Sequence, residues 1–402
     1  MKTKLSVFLF FTTAMILIGC CPQETKGPAI PAADRPELYL HLLEGKKVAL
    51  VSNQTALLSD GSHLIDFLVK SGVNVVKIFA PEHGFRDLAD DGAIINSDVD
   101  KKTGIPVLSL YGGETKKPKP ELLEGVDILL FDIQDVGCRF YTYINTMQHI
   151  MEAGAENNIP VIVMDRPNPN GFFIDGPVLE PELKSGIGYQ PVPCVYGMTI
   201  GEYALMLNGE GWAENGAKCD LTVIPLKDYD HNTRYSLPVL PSPNLPNDRA
   251  VNLFGSLCLF EGTSLSEGRG TTSPFQLFGG PQIDSTKTYF WFVPNPSFGS
   301  MKSKNFGEKC WGLDLRNAPE QAQVNIDWLI WAYRNSTDKE NFFLNDNPEK
   351  GSRDFAIRVG NYELQKQIEA GMTADEIKAT WQPGIEKFKE IRKKYLLYKD
   401  FE

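Results

Sequence analysis

Five short aliphatic runs, each ending in polar residues, constrain the fold of this chain more than any other feature. They are KVALVSNQT (47–55), VNVVKIFAPEHG (73–84), IPVLSLYG (105–112), VDILLFDIQD (126–135) and IPVIVMDRPNPNG (159–171). Helical patterns separate most of them. HLIDFLVKSG (63–72) puts Leu64, Phe67 and Leu68 on one face and stops at Gly72. KPELLEG (119–125) has Pro120 near its start, and residues 142–158 align Ile144, Met147, Ile150 and Met151. Strands that are nearly continuous in aliphatics and alternate with helices predict an α/β fold, a parallel sheet covered on both faces.

Ligands of such open sheets bind beyond the carboxyl ends of the strands. There the sequence sets Asn53, Gln54 and Thr55; Glu82 and His83; Tyr111; Asp132, Gln134 and Asp135; and Asp165, Arg166 and Asn168. The first strand is followed by SNQTALLSDG, with no G-x-G-x-x-G fingerprint, and no phosphate-binding P-loop occurs. A dinucleotide ligand is therefore not expected.

At 402 residues the chain exceeds one ordinary core, so two domains are expected. The Pro-rich passage LPVLPSPNLPND (237–248) marks the boundary, giving an α/β domain over 37–235 and a C-terminal domain over 236–402. Before the boundary, Thr199 and Glu202 form a capping box for a helix, and LTVIPLKDYD (221–230) reads as a strand. After it, LFGSLCLFEG (253–262), TYFWFVPN (288–295) and WGLDL (311–315) read as strands, and residues 321–335 as an amphipathic helix. Thr373 and Glu376 open a further helix, and Pro383 restarts a last one.

Residues 1–19 read as a secretory signal, with Lys2 and Lys4 before an apolar run from Leu5 to Ile18. The sequence Leu17-Ile18-Gly19-Cys20 resembles a bacterial lipobox, which implies lipidation at Cys20. Residues 20–36 are then a flexible tether. The expected product is an exported lipoprotein, held at a membrane by its lipid alone and facing the periplasm. The charge of −11 excludes the basic surface that nucleic acid requires, and loss of the signal removes two lysines and no acid. The cysteines after Cys20 show no CxxC and no zinc spacing, so buried free thiols are expected.

Four stretches carry chemistry. Glu82 and His83 stand at a strand mouth beside Phe79, Pro81 and Phe85, where a glutamate serves as general acid or merely pairs with Arg86. FDIQDVGCRFYTY (131–143) gathers Asp132, Gln134, Asp135, Arg139, Tyr141 and Tyr143; the tyrosines suit stacking on a sugar and the guanidinium suits a carboxylate. LFEGTSLSEGRGTTSPF (259–275) sets Glu261, Glu267 and Arg269 around small residues that let backbone approach a ligand. A rigid turn in VMDRPNPNG presents Asp165, Arg166 and Asn168. With no G-x-S-x-G elbow, paired carboxylates among aromatics point to glycoside hydrolysis.

The motifs PEHGFR, GVDILLFDIQDVGCRFYTYI, VIVMDRPNPNG, YGMTIGEYA, PSPNLP, LFEGTSLSEGRGTTSPF and RKKYLLY, in this order, resemble the exo-β-N-acetylmuramidase family of NamZ type. The resemblance runs from about Leu42 to Tyr398. It implies a Rossmann-like domain, a smaller α/β domain and a site in the cleft between them. It also implies release of terminal β-linked N-acetylmuramic acid from the non-reducing end of peptidoglycan fragments, without a cofactor. The family's motifs place catalytic candidates at Glu82, His83, Asp132, Asp135 and Glu267. The same motifs also fall on Gln134, Arg139, Tyr141, Glu261 and Arg269, expected as substrate contacts, and the strand ends add Asn53, Arg166 and Asn168; Glu261 stands with Asp132, Asp135 and Glu267 as a candidate for the second carboxylate. Asp87, Gln276 and residues 347–355 depart from the pattern, which leaves room for another carboxylated sugar. A receptor that binds cell-wall sugars without cleaving them is the competing expectation.

Overall fold

The computed structural model describes residues 27–82, 84–86, 98–110, 116–344 and 353–402. Cys20, His83, Asp87, Tyr111 and residues 347–352 lie outside the described residues. After a short helix, α1 (Leu40–Leu43), the first strand β1 (Lys47–Ser52) leads through α2 (Leu64–Lys70) into β2 (Asn74–Ala80). A short β3 (Asp98–Val99) and β4 (Pro106–Ser109) follow. Then come α3 (Pro120–Leu123), β5 (Ile128–Asp132), α4 (Tyr143–Asn157), β6 (Val161–Met164), α5 (Ile200–Glu210) and β7 (Leu221–Ile224). They form one seven-stranded sheet in the order β3-β4-β2-β1-β5-β6-β7, in which only the β3–β4 pairing is antiparallel. The order turns back at β1, with β2 on one side and β5 on the other, so the crevice lies at their carboxyl ends.

Period-two alternation divides each strand between two cores. Val48, Leu50, Ile78, Ala80, Ile128, Leu130, Ile162 and Met164 face one cluster. Ala49, Val51, Phe79, Leu129, Phe131, Val161 and Val163 face the other. This second cluster continues without a break through α4 and α5 into the C-terminal half, reaching Phe278, Phe343 and Phe388.

The C-terminal half comprises α6 (Asp248–Leu257), then β8 (Leu277–Gly280), β9 (Phe290–Phe292) and β10 (Cys310–Asp314), and the helices α7 (Asp327–Asn335), α8 (Arg353–Val359), α9 (Glu363–Glu369) and α10 (Ala374–Arg392). The three strands form an antiparallel sheet ordered β8-β10-β9. The capping boxes of Thr199 with Glu202 and Thr373 with Glu376 are both closed. The five described cysteines, Cys138, Cys194, Cys219, Cys258 and Cys310, are buried free thiols.

Two local expectations are corrected. LFGSLCLFEG is not a strand but the end of α6, running into a 3-10 turn at Cys258–Gly262. The Asn247 side chain caps its start by accepting from the Ala250 amide, and a run that is apolar on every side hides its helical period. Pro383 does not start a new helix; it lies inside α10. A mid-helix proline costs about 3 kcal/mol. The continuous buried face of Ile377, Trp381, Ile385 and Phe388 offsets that cost.

Candidate active site

At the carboxyl end of β2 the chain turns at Pro81 and presents a half-buried Glu82. The start of α4 meets it. Thr142 Oγ1 donates to Glu82 Oε2 at 3.4 Å, and the Tyr143 hydroxyl donates to the Glu82 carbonyl at 3.4 Å. Here a cavity of about 210 Å³ opens, lined by Glu82, Tyr141, Thr142 and Tyr143 from the first half and by Glu261 and Arg269 from the second. Phe140, Phe254 and Phe275 also line it, with the Phe254 ring edge-on to Phe140 at 5.3 Å and to Phe275 at 4.9 Å. Tyr141 donates to the Pro241 carbonyl at 2.7 Å, which fastens the Pro-rich passage along the rim. Burial, and then neighbouring acidic groups, push the Tyr141 and Tyr143 phenols up, so both stay protonated near neutrality.

The opposite wall is ionic. Glu261, on the turn that extends α6, receives Arg269 Nη2 at 2.7 Å and Arg358 Nε at 3.2 Å. Glu267 lies behind this pair, 3.4 Å from Arg269 Nε and 2.9 Å from Lys304 Nζ. Burial alone raises the Glu261 carboxyl, but Arg269, Arg358 and Lys304 outweigh it and hold the group below its ordinary value. Glu261 is therefore an ionised carboxylate. Arg358 also pairs with Asp354, so three cations meet three carboxylates here, and Arg269 is the cation of this cluster that lines the cavity, where it suits an anionic substituent on a sugar.

Other expected site residues serve the frame. Arg166 grips Asp132 at 2.5 and 2.8 Å and also donates to the Leu57 carbonyl at 3.2 Å. Neither Arg166 nor Asp132 lines the cavity. Arg139 was expected to suit a carboxylate ligand, but it is fully buried and donates to the carbonyls of Pro177, Val192, Arg358 and Val359 at 2.8–2.9 Å. It ties the strand end to the last turn of α8. Gln134 spans the carbonyls of Asp135 and Pro167, Asn168 donates to the Met198 carbonyl, and Asn53 Oδ1 accepts from Thr55. Asp135 accepts from the Tyr196 hydroxyl and the Gly137 amide; burial nevertheless pushes its carboxyl up to about 6. Asp165 takes bonds from Tyr398, Thr199 and Gly201; burial, with Glu202 reinforcing it, pushes it up to about 7. Arg86 does not pair with Glu82. It binds Asp66 at 2.8 Å and Asp100 at 2.7 Å, pinning the loop that carries Glu82.

The sequence reading missed Arg358, Lys304 and the rim residues Ser242 and Asn244. The two cations reach Glu261 and Glu267 from distant segments, so no local pattern announces them. Ser242 and Asn244 did lie within the singled-out PSPNLP.

The family model for exo-β-N-acetylmuramidase NamZ matches in two parts, the N-terminal over residues 48–249 and the C-terminal over residues 252–398. The chain belongs to the exo-β-N-acetylmuramidase family of NamZ type. The peptidoglycan β-N-acetylmuramidase NamZ of Bacillus subtilis is 39% identical, and the alignment covers 98% of each chain. Two crystal structures of DUF1343 family proteins from Bacteroides fragilis superpose on this NamZ-family fold. One has a TM-score of 0.84 at 43% identity, covering 93% of this chain and 100% of its own. The other has a TM-score of 0.76 at 29% identity, covering 92% and 99%.

Proposed function

We propose that this protein is a glycoside hydrolase that releases terminal β-linked N-acetylmuramic acid from the non-reducing end of peptidoglycan fragments. The observation that carries the reading is the cavity shared by the two halves. It sets Glu82 and the ionised Glu261 among aromatic rings in a chain that belongs to the exo-β-N-acetylmuramidase family. Glycoside hydrolysis needs an acid to protonate the leaving oxygen and a carboxylate to attack the anomeric carbon or activate water. Glu82 takes the first role and Glu261 the second. Arg269, backed by Arg358 and Lys304, receives the lactyl carboxylate, the group that distinguishes muramic acid from N-acetylglucosamine. Tyr141 and Tyr143 shape the face against the sugar ring. Asp132, Arg139 and Arg166 hold the strand ends in register beneath it.

The segment from Lys2 to Cys20 supports export and lipid attachment at Cys20, which would keep the enzyme at a membrane facing the periplasm. Hydrolysis of two chromogenic glycosides tests the activity. The β-N-acetylmuramide should release its chromophore readily and the β-N-acetylglucosaminide only slowly. Binding heat from a muramic acid disaccharide with no product would instead make the protein a receptor.

A further inference from the structure

Five of the nine large apolar side chains that stand exposed among the described residues fall within residues 289–306. Three of them, Phe298 (59% exposed), Met301 (59%) and Phe306 (55%), lie on the loop 294–307. That loop is tied on two sides to segments that line the cavity. Ser297 and Ser300 exchange backbone hydrogen bonds at 3.2 and 2.8 Å, so Phe298 and Gly299 form the tip of a tight turn. Gly299 has φ +84°, and a Cβ there would come 2.5 Å from the Cβ of Pro243. The neighbouring Asn244, which lines the cavity, donates to the Gly299 carbonyl at 2.7 Å. On the other side the Asn295 amide donates to the Gly270 carbonyl at 2.7 Å, one residue from Arg269. Lys304 anchors the same loop through the Phe260 carbonyl at 2.7 Å. Apolar side chains thus stand in solvent on a loop whose backbone is bonded to Asn244 of the cavity lining and to Gly270, next to Arg269.

The cavity is sized for about one sugar ring. An enzyme that removes terminal sugars leaves the remaining chain outside, and that chain needs a surface. Exposed aromatic faces pack on sugar rings, and apolar patches mark interaction sites. The local charge agrees. Residues 294–309 hold Lys302, Lys304 and Lys309 against Glu308 alone, in a chain of net charge −11. We propose that Phe298, Met301 and Phe306 form a platform for the leaving part of the glycan, an anionic polymer bearing a carboxylate on each muramic acid. The proposal rests on the hydrolytic reading above.

The test compares the whole protein with a Phe298→Ser, Met301→Ser, Phe306→Ser variant. The substrates are a single-sugar chromogenic muramide and a peptide-free tetrasaccharide with muramic acid at its non-reducing end. On the tetrasaccharide, KM should rise about tenfold with kcat unchanged, while the single-sugar constants stay within about twofold. A Phe298→Tyr, Phe306→Tyr variant, which keeps the rings, should retain the original KM. Equal losses on both substrates, or none on either, would overturn the platform. So would lost binding to phosphatidylglycerol vesicles, or loss of a dimer in light scattering, with tetrasaccharide KM unchanged; those results would assign the patch to a membrane or to a second copy. If the unaltered protein cleaves neither substrate, the hydrolytic reading fails. Calorimetric binding of the tetrasaccharide to protein and variant then decides the platform by itself.

Discussion

Arg166 holds Asp132 through two hydrogen bonds, 2.5 and 2.8 Å long, with both side chains out of solvent. The pair joins the end of β5 to the loop after β6 and so fixes the floor of the crevice. Removing one partner strands the other charge in the interior. Arg166→Ala is therefore expected to lower stability by about 3–5 kcal/mol, read as a shifted denaturant midpoint. An unchanged midpoint would mean that water already reaches this pair.

Arg86 is the second hinge of the account. It does not touch the sugar cavity, yet its fork spans Asp66 and Asp100 four residues from Glu82. Small misplacements of a catalytic group are costly. Arg86→Ala is expected to lower kcat on the chromogenic muramide about ten- to a hundredfold. Arg86→Lys should recover only part of it, because an ammonium lacks the fork that grips two carboxylates. Equal rates for the three proteins would detach this ion pair from the position of Glu82.

Arg269 is expected to read the carboxylate of the sugar. Arg269→Gln should raise KM for the muramide about tenfold, from the loss of a charge-assisted hydrogen bond. Hydrolysis of the N-acetylglucosaminide, already slow, should not fall with it. Parallel losses on both glycosides would place Arg269 in the support of Glu261 instead.

The pH dependence of stability follows from two buried carboxyls. Asp165 is raised to about 7 and Asp135 to about 6, each by burial first. Asp165 faces Glu202 and the Tyr398, Thr199 and Gly201 donors, while Asp135 faces Tyr196 and the Gly137 amide. In the unfolded chain both ionise near 4, so between about pH 4 and 7 the folded state binds more protons. Stability is then expected to fall as pH rises through that window and to level above it. In Asp165→Asn the fall should be shallower, as measured by melting temperature from pH 4 to 8. An identical slope in the variant would remove Asp165 from the cause.

The large sheet was legible because its strands repeat one local signal, aliphatic residues closing on polar ones. Glu82, Tyr141, Glu261 and Arg269 were legible as members of short motifs, and they line one cavity. Arg139 and Arg166 were not. A buried arginine and a ligand-binding one look alike in sequence, and the difference lies in partners such as the carbonyls of residues 358 and 359, far along the chain. The same distance hid Arg358, which meets Glu261 across 97 residues. Residues 253–262 misled because the run from Leu253 to Phe260 is buried on every side, which erases the period that separates helix from strand.

The central claim is that Glu82 delivers the proton to the leaving oxygen. Its most direct measurement is kcat for Glu82→Gln on the chromogenic muramide, with circular dichroism confirming an unchanged fold. A loss of about a hundred- to ten-thousandfold is expected, the usual contribution of a positioned general acid. Turnover within a few-fold of the unaltered protein would contradict the account.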